Sequence, residues 1–210
     1  MKEFWDNRYR ENEFAYGVEP NQFFKNVLDQ YEFSGKILLP AEGEGRNAVY
    51  AAEMGLEVYA FDISVEGKKK ALDLAHQKNV NINYEVGEFF DLDIIHQTYD
   101  VAALIYAHFP LDILKAYYQK IAELIKPGGM IILEGFSKNH LEMQRKNPNA
   151  GGPKNIDMLF SEETILENFP DFEILELNEI SIELREGKFH NGMAKVIRFI
   201  GQKNDSGHIS

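Results

Sequence analysis

"ILLPAEGEGRNAVYAAEMG", residues 37–55, decides the fold. An apolar run, Ile37-Leu38-Leu39, halts at Pro40. Ala41-Glu42-Gly43-Glu44-Gly45 follows, and then a helix-forming segment that stops at Gly55. A buried strand, a glycine turn and a helix make the first half of a strand–helix–strand unit. Glycine at such a turn lets the backbone reverse sharply or lets another group come close.

The same rhythm repeats outward. "EVYAFD" (57–62) is a second strand, ending in Asp62, and Ser64 caps the helix after it. "INYEV" (82–86) is a third strand, followed by Gly87-Glu88-Phe89. "DVAALIY" (100–106) is a fourth. A helix over 111–126 ends at Pro127-Gly128-Gly129, and "MIILEGF" (130–136) is a fifth strand. Continuous apolar strands alternating with helices predict a parallel sheet covered on both faces. Ahead of this core, Phe23, Phe24, Val27, Leu28 and Tyr31 form a helical stripe within residues 1–35. Behind it, 137–160 reads as a long loop and 161–169 as a short helix. "FEILELNEISIEL" (172–184) and "MAKVIRFIG" (193–201) flank a short turn, an antiparallel hairpin. Residues 202–210 read as a disordered tail. No repeat or linker divides the chain, which predicts a single domain over 1–210.

The net charge is −12 and cysteine is absent. Phosphate backbones need a basic surface, so nucleic acid is not the expected partner. Disulfide and thiol chemistry are excluded. The charged N-terminus lacks the apolar core of a signal peptide. The longest apolar stretch, "VAALIYAHFPL", falls short of the roughly 20 residues of a membrane span. These features predict a cytoplasmic protein acting on a small molecule, with no membrane partner. They leave monomer and homodimer open, and nothing points to a metal.

Open parallel sheets bind ligands at the carboxyl ends of their strands, and the notable residues fall there. Asp62 offers two oxygens to a vicinal diol, as in a ribose. Glu88 and Phe89 are placed for a heterocyclic base, one as acceptor and one as packing surface. Together they argue for a nucleoside-containing ligand. Gly43-x-Gly45-x-x-Ala48 fits a dinucleotide fingerprint, which keeps an NAD(P)-binding oxidoreductase in view. Glu42 and Glu44, however, would repel a pyrophosphate. They suit S-adenosylmethionine, which is cationic and carries no phosphate.

Taken together, these residues resemble the class I S-adenosylmethionine-dependent methyltransferases, most of all the small bacterial tellurite-resistance and thiopurine-methyltransferase-like group. "WDNRY" and "AYGVEPNQFF" look like that group's N-terminal lid. "GEGRNAVYAAEMGLEVYAFDIS", "YDVAALIYAHFP" and "LIKPGGMIILEGF" resemble its successive motifs. The resemblance implies a Rossmann-like, doubly wound α/β fold: a mostly parallel seven-stranded sheet with its last strand antiparallel and a helical lid over 1–35. The cofactor core would span 36–136, and 137–201 would form the substrate side. The implied activity is methyl transfer to a small molecule, releasing S-adenosylhomocysteine. Ala41, Glu42, Gly43 and Gly45 would pass the cofactor's amino-acid end, Asp62 and Ile63 its ribose, Glu88 and Phe89 its adenine, and Tyr106 its methionine portion. Tyr16 and Trp5 would cover it.

Leu39 and Ala41 stand where the family has an acid and a glycine, with Glu42 the substitute acid. That departure supports a further alternative, a non-catalytic nucleoside-binding protein. His108 is the candidate general base. Arg46 and Phe109 are candidates for the substrate side, with Arg46 alternatively paired to Glu42 or Glu44. His190 reads as a solvated turn residue.

Overall fold

A computed structural model describes residues 1–205. Seven strands form one sheet in the order β3-β2-β1-β4-β5-β7-β6. The strands are β1 (Lys36–Pro40), β2 (Glu57–Asp62), β3 (Asn83–Val86), β4 (Tyr99–Ile105), β5 (Ile125–Phe136), β6 (Phe172–Glu186) and β7 (His190–Lys203). β7 runs antiparallel to both its neighbours, and β1 to β5 pair in parallel. Helices α1 (Lys2–Tyr9), α2 (Gln22–Gln30), α3 (Arg46–Glu53), α4 (Val65–Gln77), α5 (Leu111–Leu124), α6 (His140–Lys146) and α7 (Glu162–Asn168) complete the chain.

The apolar strands bury both faces. Leu38, Ala102, Leu104 and Leu133 pack under α5 and α7. Ile37, Leu39, Ala60, Ala103 and Ile132 pack under α2, α3 and α4. Adjacent strand residues thus serve opposite cores, which is why no polar alternation marks them. Chain order reverses between β1 and β4, so the crevice at their carboxyl ends is the topological switch point.

Several sequence expectations change. Residues 1–35 are two helices joined by an irregular strap, and α2 buries Phe23, Phe24, Val27 and Leu28 in the core. Pro127-Gly128-Gly129 does not precede β5 but bulges within it. Tyr99 pairs with Ile125 and Val101 with Met130, and Gly128 takes φ 74° to absorb the shift. The 137–160 stretch is largely ordered into α6 and short 3₁₀ turns. The hairpin is longer than its apolar segments, because backbone pairing continues through the polar ends to Glu186↔His190. Of the expected tail, Gln202 and Lys203 lie in β7, and residues 206–210 fall outside the described region.

Candidate active site

The turn after β1 is built by left-handed residues: Ala41 at φ 52°, Gly43 at 61° and Gly45 at 86°. Gly45 has no alternative. A Cβ there would lie 2.4 Å from Ala71 Cβ and 2.7 Å from its Cα, so α3 and α4 meet over a bare glycine. Gly45 also has no side chain to cap α3, and Glu42 does so instead. Its Oε1 accepts the amides of Asn47 and Ala48, both at 2.8 Å. Burial pushes the Glu42 carboxyl up to about 7.

This capping refines the charge argument. A pyrophosphate binds the free amides of a helix N-terminus, and here the protein's own carboxylate holds two of them. Glu44 contributes less than its sequence position implied. It is buried, and its Oε1 lies 2.8 Å from Lys70 Nζ, which balances its charge. Its Oε2 accepts the amide of Ala15 at 2.8 Å and fastens the strap.

Asp62 ends β2 beside this turn. Oδ2 accepts the Gly43 amide at 3.0 Å and Oδ1 the Ser64 amide at 2.9 Å. The Ile63 amide also faces the carboxylate, and a carboxylate can accept about four bonds in all. The group is buried, and among the described residues it forms no ion pair; desolvation raises its carboxyl to about 6. Ile63 follows it, half-buried. From α1, Tyr9 lies against Gly43, while Asp6 accepts the Ser64 hydroxyl at 2.6 Å. Trp5 stacks on Tyr9.

Glu88 is exposed after β3 and accepts the Tyr117 hydroxyl at 3.0 Å. Phe89 is turned away: fully buried, it stacks on Phe61 with ring centroids 4.9 Å apart, so its ring has no face left for a base. The exposed ring beside Glu88 is Phe90. Tyr106, at φ 53° past β4, donates its hydroxyl to Glu134 at 3.1 Å.

His108 does not serve as a base. Its Nδ1 donates to the Met158 carbonyl at 2.7 Å, and its Nε2 accepts the Phe136 amide at 3.1 Å. No lone pair remains, and burial lowers the imidazole to about 4. Phe109 is core, edge-on to Tyr117 and Tyr118. Arg46 is buried but pairs with neither Glu42 nor Glu44. It reaches Glu186 at 2.9 Å and the Tyr16 carbonyl at 3.1 Å. His190 is not solvated; it is 5% exposed, 4.4 Å from the Tyr16 ring and 4.5 Å from the Tyr106 ring.

Sequence reasoning missed the network that ties the strap to the hairpin. Asn21 Nδ2 donates to Glu134 at 2.7 Å and to Glu186 at 3.2 Å, and Arg198 Nε meets Glu134 at 2.7 Å. One signal was available: Glu134 and Arg198 interrupt the apolar runs 130–136 and 196–200, and they sit opposite each other in the β5–β7 register. Tyr16, Asn21, Arg46, Glu134, Glu186 and Arg198 line a cavity of about 490 Å³ between strap and hairpin. A second hollow of about 510 Å³, by Lys36 and Lys126, lies at the amino ends of the strands, away from this site.

The sequence and the fold are similar to those of known proteins. Residues 37–129 match a methyltransferase domain family. Thiopurine S-methyltransferase of Vibrio atlanticus is 24% identical over 181 residues, 76% of this chain and 81% of that protein. A structure solved for conversion of a disulfide bond into a thioacetal group during echinomycin biosynthesis superposes with TM-score 0.76. It is 20% identical, covering 100% of this chain and 94% of the other. TehB from Haemophilus influenzae superposes at 0.67 with 17% identity, covering 97% and 67%. Magnesium protoporphyrin IX methyltransferase from Synechocystis, solved with bound SAH, superposes at 0.65 with 17% identity, covering 87% and 83%.

Proposed function

We propose that this chain, a class I S-adenosylmethionine-dependent methyltransferase, methylates a sulfur atom of a small molecule in the cytoplasm. The observation that carries the cofactor assignment is Asp62. It is a buried carboxylate that, among the described residues, forms no ion pair and accepts only backbone amides. Two ribose hydroxyls are the donors that such a group lacks, and they would relieve the desolvation that raises it. The amides at the start of α3 are taken by Glu42, which disfavours a dinucleotide and suits a cofactor without phosphate.

Bound S-adenosylmethionine supplies an electrophilic methyl on a sulfonium. The chain's part is to bind, orient and exclude water; alignment of two reactants is worth roughly 7–11 kcal/mol. Asp62 would hold the ribose, with Tyr9 of α1 packed over Gly43 beside it. Ile63, Glu88 and the exposed Phe90 would flank the adenine. Ala41, Glu42 and Tyr106 would face the amino-acid end, Glu42 through its Oε2, which carries only a 3.4 Å contact to Asn47. Trp5 and Tyr16 would close the site as part of an N-terminal lid over 1–35, within a single domain.

Sulfur is the acceptor element in the name of the Vibrio relative, and a thioacetal is the product in the echinomycin structure. Tyr106, just past β4, and Tyr16 of the strap are half-buried rings, packed with Phe136 and His190, that would offer polarisable surface for such an atom. Arg46 and Arg198 are neutralised by Glu186 and Glu134, so the cavity they line does not select an anion. Release of S-adenosylhomocysteine across thiol, amine, oxyanion and metalloid acceptors tests this. Turnover with thiols supports the reading, and turnover with oxyanions alone overturns the sulfur assignment.

A further inference from the structure

The buried Glu186–His190 pair is the remaining titratable cluster at this site. Glu186 ends β6 and His190 begins β7, so the hairpin turn folds one onto the other. His190 Nδ1 lies 3.1 Å from Glu186 Oε2. Burial alone would raise Glu186, but the bond from His190 and the charge of Arg46 outweigh it and hold the carboxyl at about 2. An ionised carboxylate only accepts, so Nδ1 carries the proton and Nε2 carries the lone pair. Among the described residues Nε2 has no hydrogen-bond partner. The residue facing it is Gly151, where a Cβ would lie 3.2 Å from Nε2 and 2.6 Å from Cδ2. His108 lost the role of base because both its nitrogens bond to backbone, and His190 differs on that point.

We propose that His190, oriented by Glu186, is the general base that removes the proton from a thiol acceptor. The inference rests on the methyl-transfer reading above. The acceptor's S–H proton passes to Nε2, and the sulfur's freed electron pair forms the new S–CH₃ bond. The old bond to the sulfonium breaks with its pair left on that sulfur, and the imidazolium then returns its proton to water. Arg46 meets the same Glu186 oxygen that His190 does, Oε2, at 2.9 Å and fixes the carboxylate there. The groups that set the charge around the ring are Glu186 on β6, Arg46 on α3, Tyr16 and Arg8 in the N-terminal region, and Tyr106 past β4. Burial among them keeps the imidazole below its ordinary value, neutral and able to accept at pH 7.

Two readouts test this. Long-range ¹H–¹⁵N spectra of the resting protein should show His190 protonated on Nδ1. Adding an alkyl thiol to the protein saturated with S-adenosylhomocysteine should shift the Nε2 resonance. A proton on Nε2, or no response to the thiol, would overturn the proposal. In kinetics, His190→Asn keeps a donor toward Glu186 and deletes Nε2. It should lower kcat roughly 10²- to 10³-fold for an alkyl thiol, with KM for S-adenosylmethionine within about twofold by the same reasoning. The deficit should shrink below about tenfold for a nitro-substituted aryl thiol already ionised at pH 7. An equal loss for both thiols would mean a structural role. If the wild type methylated no acceptor, the functional reading would fail, and the spectra would still judge the imidazole.

Discussion

Replacing Asp62 with asparagine should separate cofactor binding from folding. In the loaded site the carboxylate serves the Gly43 and Ser64 amides seen in the structure and two ribose hydroxyls. Asparagine has one oxygen and no charge. Bonds to charged groups are worth about 1.5–3 kcal/mol and neutral ones about 0.5–1.5. Losing the charge and one bond therefore costs about 2–4 kcal/mol, roughly 30- to 1000-fold in Kd. Stability should move much less. The new amide group faces a backbone N–H, an unfavourable contact. The substitution also removes a carboxylate whose burial raises it to about 6, a penalty on the order of 3 kcal/mol at neutral pH. The two oppose each other. Calorimetry with S-adenosylhomocysteine at pH 7.5, beside a thermal melt, measures both. Wild-type affinity should also fall as pH drops through about 6, where Asp62 takes a proton, and the variant should lack that inflection. Binding by the variant within threefold of wild type would refute the reasoning.

Other changes probe the scaffold. Gly45→Ala forces a left-handed alanine at φ 86° and a clash with Ala71, and chemical denaturation should register a loss of about 2–5 kcal/mol. His108 is neutral when folded down to about 4, whereas the unfolded chain takes the proton near 6.5. Its contribution is therefore complete above pH 6.5 and lost as pH falls toward 4. Relative to His108→Gln, wild type should lose about 3 kcal/mol across that window by denaturation at stepped pH. Lys70→Met leaves the buried Glu44 with backbone amides of the strap but no cation. A loss of about 2–4 kcal/mol is expected, with faster tryptic cleavage at Arg10 as the strap loosens.

The fold was legible where local chemistry and tertiary need agree. Apolar runs such as Ile37–Leu39 and Val101–Ile105 have no solvent face, and the Gly45 turn and the Ser64 cap are local signals. The Pro127–Gly129 bulge was not legible, because a proline-glycine turn and a bulge share a sequence and only the β4 register separates them. At the site, sequence placed residues at strand ends but not their side chains. Phe89 lies where a base would be packed, yet the core under Phe61 claims its ring. His108 has the right position, but two backbone partners 28 and 50 residues away consume it. Glu186 and His190 read as turn residues, because their burial depends on the strap that crosses the hairpin at Ala15 and Gly17.

The most direct measurement is a crystal structure of the protein with S-adenosylhomocysteine. The adenosine should lie across the carboxyl ends of β1, β2 and β3, with Asp62 bonded to both ribose hydroxyls and its amide contacts intact. Ligand bound elsewhere, or Asp62 bonded only to Gly43 and Ser64 beside a bound ligand, would contradict it.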